Sequence, residues 1–149
     1  MSTITDRDFQ RSLAALFREE LGFYRSLYVL LDRQRDWLKY ERDSRIIDIF
    51  EDIGKLNKRI QESHDKILNV RQTNREAFEH ALAAADIARL VDNIVSLINK
   101  CMELAGENET IAAAKRDRLK AELSGLSDGG RFYGSLRTKA APRFVDQQR

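Results

Sequence analysis

Apolar residues recur every three or four positions through most of this chain. Phe9, Leu13, Leu16, Phe17, Leu21, Tyr24, Leu27, Tyr28, Leu31 and Leu38 form one wide stripe of about nine turns. Thr5 with Asp8 three positions on, flanked by Ile4 and Phe9, has the pattern of a capped helix start. A first helix over about 5–40 follows. Gly22 interrupts its stripe and offers a neighbouring helix close approach. The rhythm lapses at Lys39 to Ser44, where Asp43 or Ser44 can cap a new helix, so the chain is expected to reverse there.

A second helix, about 44–82, carries Ile46, Ile49, Phe50, Ile53, Leu56, Ile60, Ile67 and Phe78. Asn57, Ser63, His64 and Asn74 fall at or near the same stripe. Polar residues in a seam cost stability and fix register, the habit of coiled-coil pairing. The next boundary is set at Ala83 to Asp86 by length. One helix of about 80 residues would extend roughly 120 Å and could not cover its own stripe, whereas three of about 35 residues fold back on each other.

The third helix, about 86–125, repeats three rows every seven residues. These are Ile87, Ile94, Cys101 and Asn108; Val91, Ile98, Ala105, Ala112, Leu119 and Leu126; and Leu90, Leu97, Leu104 and Ile111. So broad a stripe suits packing against two helices at once. Lys115 and Arg118 thin it after Asn108, leaving Ile111, Ala112, Leu119, Leu123 and Leu126 as an under-covered ridge. Gly125, Gly129 and Gly130 are expected to end the helix. The pattern therefore predicts an all-α fold, three long antiparallel helices in an elongated coiled-coil-like bundle over 1–128, with a flexible tail over 129–149.

Composition narrows the function. Charged residues make up 34% of the 149 and the single proline is Pro142, a balance that suits long amphipathic helices and excludes sheets. The net charge of +2 divides into +4 over 129–149 and −2 over the rest. Five basic residues spread over that tail are too sparse for a phosphate-tracking stripe, so no nucleic acid is expected as partner. Cys101 is the only cysteine, which rules out an internal disulfide and allows a reducing compartment. The start lacks a signal-peptide pattern, and no apolar run approaches the roughly 20 residues of a membrane span. A cytoplasmic location is expected.

Catalytic and metal chemistry find no purchase. His64 and His80 lack the Glu three residues earlier that a di-iron bundle needs, since Gln61 and Ala77 stand there. Cys101 lies on the apolar stripe and reads as a small core residue. Gly129 to Gly134 lacks the Lys-Ser/Thr of a phosphate loop. The carboxylates interleave with Arg and Lys on solvated faces. Neither enzyme activity, nor a cofactor, nor a metal is expected.

Two elements near the end carry a resemblance. Leu104-Ala105-Gly106-Glu107-Asn108 is similar to the Leu-Asn-x-x-Asn element of the FlgN family of flagellar type III export chaperones, and Phe132-Tyr133-Gly134 to the Tyr-Gly element that follows it about 25 residues later. Arg35 to Leu56 also resembles the family's first turn and second helix. The chain departs from the pattern at Ala105, in place of the first Asn, and at Arg137, in place of a Gly.

The resemblance implies a chaperone for hook-filament junction (hook-associated) proteins, monomeric or weakly homodimeric, which binds their C-terminal amphipathic helices before export. Client binding would fall to Asn108, Ile111, Ala112, Leu119, Leu123 and Leu126, with Asn108 as a polar register pin. Docking to the flagellar export gate would fall to Tyr133. On the residues themselves, Leu119, Leu123 and Leu126 equally suit the bundle's own core. The main alternative function is a scaffolding homodimeric coiled coil without a client. An export chaperone of another family and a nucleic-acid or membrane-surface adaptor stand behind it.

Overall fold

The first apolar stripe forms α1, Asp6–Lys39, in a computed structural model that describes residues 6–40 and 43–138, excepting the side chains of residues 43, 126, 127, 129, 130, 133 and 136–138. The cap and staple expected at Thr5 and Ile4 lie outside the described residues. The other elements are α2, Asp43–Thr73, α3, Arg75–Leu82, and α4, Ala85–Thr138. No strand occurs among the described residues. The chain divides into two compact units, Met1–Glu109 and Thr110–Arg149.

In the first unit α2 returns antiparallel along α1. Arg45 near the start of α2 lies over the Trp37 ring, and His64 further on reaches back to Glu20. The reversal thus falls in the expected interval between Lys39 and Ser44. The first part of α4 runs parallel to α1. Gln10 Nε2 donates to Asp86 Oδ1, Cys101 Sγ to the Tyr24 carbonyl, and Asn108 Nδ2 to the Leu31 carbonyl, with partners 76 or 77 positions apart. The topology is up, down, up, with α2 and α3 together making the descending arm.

That arm differs from the single expected helix because it breaks at Asn74. Thr73 Oγ1 donates to the Asn69 and Val70 carbonyls, and Asn74 Nδ2 to the Val70 carbonyl and Thr73 Oγ1. Short polar side chains that bind the backbone compete with the helical ladder. Asn74 leaves the helical region at φ −136°, ψ 53°, and α3 restarts behind it. The turn before α4 falls at Ala83 and Ala84. Asp86 lies one residue inside α4, where its carboxylate accepts from the Ile87 N–H and favours the positive end of the helix.

Two apolar clusters fill the unit. One joins Phe9, Leu13, Phe17 and Leu21 to Ile67, Phe78, Ile87 and Ile94; the Phe17 and Phe78 rings meet edge to face at 6.4 Å. The other joins Leu27 and Leu31 to Leu56, Cys101 and Leu104. Of the three rows on α4, the one ending at Asn108 is wholly buried, whereas Val91 and Ile98 in the second are half-buried and Ala105 is exposed. Phe50, expected in the core, is 57% exposed. Gly22 provides no close approach, since a Cβ there meets nothing within 4 Å.

The second unit is described from Thr110 to Thr138 of α4. The glycines expected to end the third helix do not: Gly125, Gly129, Gly130 and Gly134 all lie within α4. Glycine lowers helix propensity, by about 1 kcal/mol against Ala, and stops a helix only where the backbone takes a left-handed cap. Local support comes from an Asp128–Arg131 ion pair and from Ser135 Oγ, which donates to the Phe132 carbonyl. The two compact units meet at Glu109 and Thr110. The residues of the expected tail up to Thr138 are helical, and 139–149 lie outside the described residues.

Candidate partner-binding face on α4

The residues singled out from the sequence separate into an interior group and an exposed one. Asn108 belongs to the interior. It is 4% exposed, and its Nδ2 donates to the Leu31 carbonyl and to Gln34 Oε1, both at 2.8 Å. Asn108 therefore pins the register of α4 against α1 and is withdrawn from any incoming helix. Seven-residue spacing from Cys101 dictates this, because the row that begins at Ile87 faces α1 along its whole length. Beside it Arg35 Nη1 lies 3.6 Å from Glu107 Oε2, tying the same two helices at the surface.

Ile111 and Ala112 open the second unit and are half-buried. Leu119 and Leu123 follow one turn apart, and each is 55% exposed. The side chains of Leu126 and Tyr133 lie outside the described residues, although both positions are helical. Phe132 is 58% exposed. The part of the expected ridge that the structure presents to solvent is therefore the Leu119–Leu123 pair. A leucine pair one helical turn apart offers the repeating unit with which amphipathic helices dock.

Polar residues inside the first unit form a second feature, and sequence reasoning passed over most of it. Glu20 is 5% exposed on α1, between Phe17 and Leu21 of the first cluster, and Ser63 is 1% exposed on α2, between Ile60 of the second cluster and Ile67 of the first. Gln34 is 6% exposed where it meets Asn108. Both Glu20 and Gln34 sit on the apolar stripe of α1, three positions after Phe17 and Leu31, and that spacing was the available signal. Burial raises the Glu20 carboxyl above its ordinary value of 4.5, against the opposing pull of the His64 ring, whose Nδ1 lies 3.5 Å away.

The sign of this linkage gives a prediction. Folded Glu20 holds its proton more tightly than the unfolded chain does, so the group's stabilising contribution is fully present below 4.5 and is lost as pH rises through the raised value. Glu20→Gln should therefore make the protein more resistant to urea at pH 7, with the gain fading as pH falls below the ordinary carboxyl range. A Gln variant less stable than the parent at pH 7 would show instead that the His64 contact dominates.

Burial also raises the Cys101 thiol and the Tyr24 phenol, the latter with help from Glu20 and Cys101. Cys101 thus stays protonated and packs as a small apolar group. Among the described residues no group of His, Cys, Asp and Glu stands together as metal ligands, and no helix is long and apolar enough to cross a membrane. The architecture is that of an all-α protein with a register-locked bundle and an exposed apolar helix face. No protein-family model, curated protein or solved structure matches the chain.

Proposed function

We propose that this chain is a cytoplasmic chaperone of flagellar type III export. It binds the C-terminal amphipathic helices of hook-filament junction proteins, prevents their premature assembly and delivers them to the export gate. The observation that carries the reading is the Leu119–Leu123 pair, more than half exposed on a helical unit distinct from the packed core. A client helix laid on that pair hides apolar surface on both partners. The FlgN-like elements at Leu104 to Asn108 and Phe132 to Gly134 supply the flagellar context. Within this reading Asn108 keeps the register role expected of it but serves the bundle, and Ile111, Ala112, Leu119, Leu123 and Leu126 remain for the client.

The test is co-purification with the C-terminal segment of a hook-filament junction protein from the same genome, with light scattering for stoichiometry. A discrete complex is expected. The same exposed pair also suits a second copy of the chain, so a tight homodimer without client capture would favour the scaffolding coiled coil. For Tyr133, the expected outcome of Tyr133→Ala is normal client capture with reduced export and motility. Full motility in that variant would remove Tyr133 from gate docking.

A further inference from the structure

The charges beside the leucine pair are unevenly distributed. Arg116 and Lys120 precede Leu119 and Leu123 by three positions each, so the two cations line one edge of the apolar row. Both are exposed, and among the described residues neither is ion-paired to a carboxylate. Their own spacing of four sets them side by side, a like-charge arrangement that destabilises a helix left without a partner. The other edge is mixed, with Lys115 and Arg118 beside Glu122. Over residues 115–123 four basic side chains stand against Asp117 and Glu122.

We infer that the Leu119–Leu123 row takes a partner helix whose apolar stripe is bordered on one side by Asp or Glu at a spacing of four, matched to Arg116 and Lys120. This rests on the client-binding reading above and adds the client's charge pattern. Charges flanking an apolar seam select the partner and its direction, because parallel and antiparallel pairings bring different edges together. With only one basic edge, the acidic border meets it in one of the two directions. A second copy of this chain supplies no such border. It brings the same excess of positive charge, and an antiparallel pair of copies would set the Arg116–Lys120 edge against itself.

The test uses the full chain and two synthetic helical peptides with identical apolar stripes, one flanked by Glu and the other by Lys. Binding is followed by fluorescence anisotropy at low and high salt. The Glu peptide is expected to bind about tenfold tighter at low salt, with the advantage shrinking as salt screens the pairs. Arg116→Glu with Lys120→Glu should reverse the preference and weaken retention of the junction-protein segment. Equal binding of both peptides, or undiminished retention by the charge-reversed variant, overturns the acidic-border inference and leaves the chaperone reading standing. A wild-type chain that retains neither the junction segment nor either peptide, and that scatters as a tight homodimer, overturns both.

Discussion

Replacing Leu119 and Leu123 together with glutamate is expected to weaken client capture by about a hundredfold or more while leaving the melting temperature of the bundle unchanged. Burying a leucine is worth about 1.5–3 kcal/mol, so two of them at the centre of a helix contact supply most of the binding energy such a contact can offer. Introducing a carboxylate at each position adds a desolvation cost to the lost contact. The free protein has little reason to respond. Both side chains are more than half exposed, and neither joins the two clusters that fill the first unit. Surface substitutions away from packed features usually change stability by about 0.5 kcal/mol or less. Calorimetry and a capture assay on the same preparation separate the outcomes. Loss of cooperative unfolding would assign the leucines to the core, and retained capture would move the client elsewhere.

Leu13→Ala should produce the opposite pattern. Leu13 is 0% exposed and lies among Phe9, Phe17, Ile67, Phe78, Ile87 and Ile94, contributed by all four helices. Truncation there loses transfer energy and leaves a cavity that rigid neighbours cannot close, at a cost of about 3 kcal/mol. For a unit of this size the melting temperature should fall by about 10–15 °C. Client affinity measured well below the transition should change little, because the Leu119–Leu123 pair lies outside this cluster. A shift of only a degree or two would mean that the cluster is looser than its burial implies.

Much of the architecture was legible as periodicity. The starts and directions of the arms follow from stripes repeating by threes and fours, and the turn at Ala83 and Ala84 follows from the need of each arm to cover the next. The break at Asn74 was harder to read. Both Thr73 and Asn74 are tolerated in helices, and their side-chain bonds to the backbone arise only once the local turn has formed. The glycines after Leu123 misled in the other direction. A glycine marks a helix end only when the backbone turns left-handed, and α4 continues through four of them to Thr138.

The candidate site divides along the same line. Nothing in the spacing of Asn108 distinguishes a pin between the bundle's own helices from a pin for a client, since either suits a polar residue in an apolar row. Its bonds to Leu31 and Gln34 decide the matter in favour of the bundle. Leu119 stands in the same seven-residue row as the half-buried Val91 and Ile98, yet it is exposed, as is Leu123 one turn on.

Helicity, the places where the arms reverse and the membership of each amphipathic face can be read from the chain alone, because those properties depend on neighbours a few positions away. Which faces are covered came from the packing: Glu20 and Gln34 are buried, Asn108 bonds within the bundle, and Leu119 and Leu123 are exposed. Burial depends on residues brought together from distant parts of the chain, and periodicity carries no record of which partner arrives.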